Sequence, residues 1–287
     1  MSNPKASFVF AVTGERHVAA ANVALRFLKR VTRNDIVVVQ SRSPVRVAHD
    51  QVVDVELPPA LDDHAASLLI KTNLLSHVRG AADQFCYLDS DVMAINEGVD
   101  RIFEHRRGLI NFAQDHASVD RFSSWAVNCG CQEAECNHLR EALLCKFGVD
   151  IVSCDWRLWN GGVFLFDEAS EPFLQTWHAM TRDILADTYW RTRDQGALAG
   201  AAWAFGLQDQ ATIPSSFNLI VDCLRGLSPE ARVTATAADS FVRQDYSLAA
   251  EAPPHFIHLI NGGVGRWGWR NWDDIEALLT PQGAKQI

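Results

Sequence analysis

Phe85-Cys86-Tyr87-Leu88-Asp89-Ser90-Asp91-Val92 decides the reading of this chain, because an apolar run ends there in two carboxylates one residue apart. Alternate side chains of an extended backbone share a side, so Asp89 and Asp91 face one ligand where the strand leaves the core. Two adjacent anions repel each other. A divalent cation that prefers oxygen donors, Mn²⁺ or Mg²⁺, relieves that repulsion. The same tripeptide also reads as a solvated turn after a buried strand.

Upstream, Ser7 to Thr13 is an apolar run stopped by Gly14, as a buried parallel strand would be. Ala21, Ala24, Leu25, Leu28 and Val31 then recur at helical spacing from His17 to Val31. Asp35 to Gln40 and Gln51 to Leu57 read as strands, the second halted by Pro58-Pro59, and a helix follows from about Asp63 to Val78. Strands alternating with helices predict an α/β fold with a parallel sheet, whose ligands bind beyond the carboxyl ends of its strands. Gly14 and Asp89 both lie at such ends.

Downstream, Gly108 to Ala113 reads as a strand, and the segment from about 114 to 152 breaks the pattern as a cysteine-rich insertion would. Trp159-Asn160-Gly161-Gly162 runs into Val163 to Asp167, a strand that begins with two glycines and so admits a ligand to its backbone. Ser170 is placed to cap a helix with Pro172 in its first turn and Phe173, Trp177, Met180 and Ile184 on one face. Another helix starts at Arg193-Asp194-Gln195-Gly196, and Pro254 to Ile260 is a last strand leading into Asn261-Gly262-Gly263-Val264-Gly265-Arg266-Trp267. With no repeat and no low-complexity linker, one domain spanning residues 1–287 is the simplest organisation.

The chain is 48% hydrophobic and 21% charged, with a formal net charge of -9. It has no basic excess with which to bind nucleic acid or an anionic membrane surface. Met1 to Ala6 leads straight into a strand-like run without signal-peptide architecture, and no apolar stretch approaches a membrane span, so the expected location is cytoplasmic.

Seven cysteines cannot all pair internally. Cys86, Cys154 and Cys223 sit among apolar neighbours and read as small buried hydrophobes. Cys129, Cys131, Cys136 and Cys145 crowd with His138 into one polar segment. Cys129, Cys131, Cys136 and His138 have the ligand types of a structural Zn²⁺ site, with a first spacing tighter than usual; free thiols are the alternative.

Taken together, Tyr87-Leu88-Asp89-Ser90-Asp91, Asn160-Gly161-Gly162-Val163-Phe164-Leu165-Phe166, Asp194-Gln195-Gly196 and His258-Leu259-Ile260-Asn261-Gly262-Gly263 resemble, in order and spacing, the motifs of retaining GT-A glycosyltransferases. The resemblance is to family 8, the group of glycogenin and the bacterial lipopolysaccharide galactosyl- and glucosyltransferases, and covers residues 7 to about 270. It implies a Rossmann-like mixed sheet flanked by helices and Mn²⁺-dependent (or Mg²⁺-dependent) transfer of a hexose from a nucleotide sugar, UDP-linked by expectation. A saccharide, lipid-linked or protein acceptor is compatible with it. Carried over by position, Asp89, Asp91 and His258 are the metal ligands, and Asp89 also reaches the ribose. Lys71 contacts the donor. Asn160 and Gly162, with Gly161 between them, form the sugar pocket, and Asp194 with Gln195 stands beside the anomeric carbon. Val12, Thr13 and His17 lie where the base and ribose are gripped, with His17 replacing a stacking tyrosine. Gly262 and Arg266 fall in the closing motif, where Gly265-Arg266-Trp267 stands for Lys-Pro-Trp with one extra residue after the histidine.

The chemistry agrees. Cleaving a sugar-diphosphate bond leaves charge that a metal, Lys71 and Arg266 can stabilise, and Asp194 or Gln195 can face the oxocarbenium-like centre. Other roles remain open at this level. Lys71 could sit on a helix surface, Asp194 could be an N-cap, and His255 rather than His258 could be the ligand. A nucleotidyltransferase, which needs a glycine-rich basic loop after the first strand, and a non-catalytic nucleotide-sugar or carbohydrate-binding protein are the alternative functions.

Overall fold

Alternate residues of β1 (Ala6–Thr13) enter two separate hydrophobic clusters, Phe8, Phe10 and Val12 on one face and Val9 and Ala11 on the other. Period-two alternation thus divides the protein into layers on either side of a sheet. The computed structural model describes residues 4–41, 43–132, 134–222, 232–235, 241–244 and 254–260. α1 (Gly14–Val31) covers the first face with Val18, Ala21, Ala24, Leu25 and Leu28. After β2 (Asp35–Ser41) and β3 (Val52–Asp54), α2 (Asp63–Thr72) and α3 (Leu74–Val78) pack on the other face, placing Ile70, Leu74, Leu75 and Val78 beside Val9 and Ala11. The single helix expected over 63–78 is split at Asn73, whose amide bonds to the Ile70 carbonyl three residues back. This bond to the third residue back closes the turn in 3₁₀ fashion and ends α2 there.

β4 (Gln84–Leu88) and β5 (Val92–Ala94) bracket the two aspartates. β6 (Asn111–Ser118) then runs beyond the expected strand end at 113, because Ala113, Asp115 and Ala117 continue its buried face. α4 (Val119–Ala126) and α5 (His138–Phe147) follow, and their Val119, Phe122, Leu139 and Leu143 join the cluster of Phe112 and Phe164. Much of the segment expected as an insertion therefore builds the core.

β7 (Arg157–Phe166) begins earlier than expected, so Gly161 and Gly162 lie inside the strand. Opposite β6 its register jumps from Phe112↔Phe164 to Ala113↔Asn160, leaving the glycines in a bulge. α6 (Glu171–Ile184) and α7 (Arg193–Ala204) complete the second helical layer. Ser170 does not cap α6, since its hydroxyl donates to the Leu109 carbonyl and accepts from the Asp167 amide in the preceding turn. Trp177 is fully buried and meets Phe112 and Phe164 edge-on, with ring centroids 5.7 and 5.6 Å away. Each such pair contributes roughly 0.5–1.5 kcal/mol beyond area burial.

The six-stranded sheet has the order β3-β2-β1-β4-β7-β6, parallel from β3 to β4, with β7 antiparallel to both its neighbours. β8 (Leu219–Asp222), β9 (Arg232–Ala235), β10 (Phe241–Gln244) and β11 (Phe256–Ile260) end the described chain. β9 and β10 pair with each other, while β5-β11-β8 forms a three-stranded sheet, so the turn Asp89-Ser90-Asp91 joins the two larger sheets. Cys86 is buried as expected. Cys154, expected inside, is exposed because it falls in the polar turn before β7, and Cys223 lies outside the described residues. Among the described residues no helix is long and apolar enough to cross a membrane.

Candidate active site

Strand pairing brings the far end of the chain to the aspartates. β11 runs antiparallel to β5 with His258 opposite Val92, and the Leu259 amide donates to the Asp91 carbonyl at 3.0 Å. His258 Nε2 thereby lies 3.3 Å from Asp91 Oδ1 and 3.9 Å from Asp89 Oδ2, and ligand atoms of all three residues lie within 4.8 Å of one another. His255 is directed elsewhere. Its ring stacks on Phe217 at 4.6 Å, so of the two histidines only His258 joins the pair.

A polar relay fixes the orientation of His258. Asp115 Oδ2 accepts from Asn160 Nδ2 at 2.9 Å, and Asn160 Oδ1 accepts from the Gly162 amide at 2.9 Å and from Asn218 Nδ2 at 3.1 Å. Asn218 Oδ1 lies 3.1 Å from His258 Nδ1. The relay starts at a carboxylate that can only accept, so each amide is held in one sense and the proton is placed on His258 Nδ1. The Nε2 lone pair is then aimed at the aspartates. Burial disfavours ionisation of Asp115, but hydrogen bonds from His116 and Asn160 outweigh it and hold the carboxyl below its usual range.

The cluster fits a divalent cation. Asp91 Oδ1 is buried and, among the described residues, without a hydrogen bond, with His258 Nε2 3.3 Å away. Burial alone would lower the basicity of His258, yet Asp91 outweighs it and raises the imidazole above its ordinary range. A cation can replace that proton. Two carboxylates and one imidazole suit Mn²⁺ or Mg²⁺, and the relay supplies the outer partner that metal-bound histidines require.

Lys71 is a buried residue, not a surface one. Only 4% exposed, it places Nζ 3.3 Å from Asp89 Oδ2 and 3.0 Å from Asp194 Oδ2. Burial would lower its pKa, but Asp89 and Asp194 together raise it, so the ammonium is permanent. Asp194 lies in the first turn of α7 and is engaged by Lys71, while Thr192 holds the N-cap position. The Tyr87 hydroxyl donates to Asp89 Oδ1 at 2.5 Å. Gln195 is pinned edge-on to β7: it accepts from the Gly161 amide at 3.2 Å and donates to the Trp159 carbonyl.

Gly162 is required by close approach, since a Cβ there would overlap the His258 ring, with Nδ1 only 2.7 Å away. A cavity of about 230 Å³ is lined by His17, His64, Lys71, Tyr87, Asp89 and Asp91, with Asp194 at its edge. Burial chiefly lowers the His17 pKa, leaving a neutral ring. Val12 is fully buried in the core and Thr13 donates to the Asp63 carbonyl at 2.8 Å, so neither side chain lines that cavity. A larger cleft of about 810 Å³ continues past Asp194, Gln195 and Asn160 to Asp115, Trp125 and Cys131. Gly262 and Arg266 lie outside the described residues. Asn218, Asp115 and Tyr87 were not anticipated from sequence; only the tyrosine, two residues ahead of Asp89 on the same strand face, carried a positional signal.

No protein-family model matches the sequence, and no curated protein does. Solved structures do match. The galactosyltransferase LgtC, in complex with donor and acceptor sugar analogs, aligns with a TM-score of 0.56 over 95% of each chain at 14% identity. Mouse xyloside xylosyltransferase 1 aligns with a TM-score of 0.51 over 91% of this chain and 99% of its own, at 12% identity. The bifunctional glycosyltransferase WbbM gives 0.60 at 14% identity, and the chain spans about half its length, 50%. The protein has the GT-A fold of these glycosyltransferases: a mixed sheet flanked by helices.

Proposed function

We propose that this protein is a retaining glycosyltransferase that moves a hexose from a UDP-sugar to a saccharide, lipid-linked or protein acceptor with Mn²⁺ as its metal. The observation that carries the reading is the convergence of Asp89, Asp91 and His258 beside the buried Lys71–Asp194 pair, at the carboxyl end of β4. The shared fold with LgtC, crystallised with donor and acceptor sugar analogs, supports the same class of substrate.

Asp89, Asp91 and His258 would hold the cation, which supplies positive charge to the diphosphate of the donor and to the leaving group. Lys71 adds a fixed ammonium to the same face and needs no proton exchange to do so. Asp194, kept ionised because Lys71 outweighs its burial, presents a carboxylate at the entrance to the larger cleft, where positive charge develops on the sugar. Gln195, locked to β7 at both ends of its amide, lines the same cleft as a fixed dipole. His17, neutral, offers a flat ring to the nucleotide side of the smaller cavity.

Thermal-shift screening of nucleotide sugars with and without Mn²⁺, followed by an assay for release of the nucleoside diphosphate, tests this. A melting temperature raised by a UDP-hexose only when Mn²⁺ is present, with slow metal-dependent donor cleavage, is expected. Equal stabilisation with and without the metal, or none by any nucleotide sugar, overturns the reading.

A further inference from the structure

The cluster of Cys129, Cys131, Cys136 and His138 lies outside the donor site and plays no part in the proposed transfer. Its ligand atoms lie within 4.8 Å of one another. Cys129 Sγ is 3.7 Å from Cys136 Sγ, and Cys131 Sγ is 3.7 Å from His138 Nδ1. Tetrahedral zinc with bonds of about 2.3 Å to sulfur and about 2.0 Å to nitrogen requires edges of roughly 3.8 Å between sulfurs and roughly 3.5 Å between sulfur and nitrogen. The two measured edges agree with both values.

The surroundings are built to hold that geometry. Gly130 and Gln132 both have φ in the left-handed region (75° and 44°), which turns the backbone back around Cys131. Ser123, fully buried on α4, has its hydroxyl 3.2 Å from Cys136 Sγ and accepts from the Leu139 amide at 2.8 Å. Arg140 grips Asp120 with two nitrogens at 2.6 and 2.8 Å, and the Cys136 amide donates to the Asp120 carbonyl at 3.1 Å. α4 and α5 are thus clamped together one turn from His138. Three thiols and an imidazole are presented to one point by elements that hydrogen-bond behind them, as outer partners do in structural zinc sites.

We infer that Cys129, Cys131, Cys136 and His138 form a structural Zn²⁺ site that fixes the rim of the larger cleft. Binding converts the three thiols to thiolates with release of three protons, takes the His138 Nδ1 lone pair, and involves no redox change. All four positions of the metal are filled by protein, which excludes a catalytic water. Asn128, Gly130, Cys131 and Gln132 of the same loop line the cleft that Asp194 and Gln195 also line, so the zinc orders one wall of that cleft.

Full-length protein purified without chelator should contain about one zinc per chain, and Cys136→Ser and Cys131→Ser should each lower that content at least tenfold. Asp91→Asn should leave it unchanged, which separates this metal from the one at the donor site. Cobalt exchanged into the protein should show a thiolate-to-metal charge-transfer band that Cys131→Ser weakens. Stripping the zinc with a thiol-directed mercurial and then removing the mercurial should speed hydrogen exchange over residues 128–138 while β1 and β4 stay protected. Zinc absent from the purified protein, a Cys129–Cys136 disulfide seen by mass, or zinc retained in both serine variants overturns the inference.

Discussion

The protein contains two clusters of metal-ligating side chains that are assembled in opposite ways. Asp89, Asp91 and His258 come from distant parts of the chain and meet only because β5 pairs with β11 across the junction of two sheets. Cys129, Cys131, Cys136 and His138 come from one loop and the first residue of the helix that follows it. The first set inherits its order from the global fold, so its unliganded state already has donors in place, with Lys71 and His258 balancing the carboxylate charge. The second set is drawn together by hydrogen bonds between one loop and its flanking helices, and its ligand adds order that a short loop, burying little apolar surface, does not supply by itself. Hard donors on a rigid strand junction and soft donors on a local loop accordingly have different expected sensitivities to mutation.

The most severe test acts on the first cluster. Asp91→Asn removes one donor and one charge, and is expected to lower metal-dependent donor cleavage by about 10²-fold or more, the scale on which single electrostatic groups act. The metal-free melting temperature should fall, because Asp91 and His258 hold each other ionised in the folded protein and the amide ends that pairing. His258→Ala should follow it and His255→Ala should not, since His255 packs on Phe217 away from the aspartates. A damaging His255→Ala, or full turnover in Asp91→Asn, breaks the assignment of the donor site.

The next effect is expected one step outward. Asn218→Ala removes the acceptor that fixes His258 Nδ1 and frees the ring to change tautomer, at about 10–100-fold in metal affinity. The relay begins at Asp115, whose folded pKa is depressed, so its stabilising contribution is complete above the usual aspartate range, near pH 3.8, and is lost as pH falls through the lower folded value. Acid melting curves of Asp115→Asn should therefore be flatter below about pH 4 than those of the wild type. Identical acid limbs would remove Asp115 as the anchor of the relay.

Gly162→Ala probes the same histidine from the backbone. The added methyl must displace the His258 ring or the bulge of β7, and overpacking of this kind costs about 1–3 kcal/mol. The metal-dependent rise in melting temperature should shrink more than the metal-free melting temperature falls. Gly161→Ala should be milder, because the atom nearest its added methyl, Lys71 Nζ, is 3.3 Å away, whereas the His258 ring lies inside 3.0 Å of a methyl at Gly162.

Sequence revealed these clusters unevenly, for a physical reason. Asp89 and Asp91 stand where an apolar run ends, a conflict that periodicity exposes, whereas Lys71, Asp194 and His258 are marked only by the resemblance to family 8 motifs. Asn218 and Asp115 carry no such mark. Asn218 belongs to none of the motifs, and Asp115 lies in the segment that reads as an insertion after a strand ending at 113, although β6 continues to Ser118. The core contributions of α4 and α5 do not stand out because each is a short helix and the polar cysteine-bearing loop separates them, not because apolar residues are lacking. Continuous apolar runs mark β1 and β4 as buried strands without telling one sheet face from the other, while the bulge in β7 depends on pairing with β6, which a single strand does not encode.

The smallest effect belongs to the local cluster and decides whether it is independent of the donor site. Ser123 has one hydroxyl that accepts from the buried Leu139 amide and meets Cys136 Sγ. With a free thiol the sulfur donates to this oxygen; with a zinc-bound thiolate the hydroxyl turns and donates to the sulfur, while its lone pair keeps the Leu139 bond. Ser123→Ala removes both contacts and strands the Leu139 amide, at a cost of about 1–3 kcal/mol, and should weaken zinc binding by about 10-fold. The loss should appear as faster hydrogen exchange over 128–140 and faster zinc release to a chromogenic chelator, with no change in the Mn²⁺ dependence of nucleotide binding. If Ser123→Ala shifts that Mn²⁺ dependence as much as it shifts zinc release, the two clusters are coupled through the cleft between them, and the contrast between a fold-assembled and a self-assembled site fails.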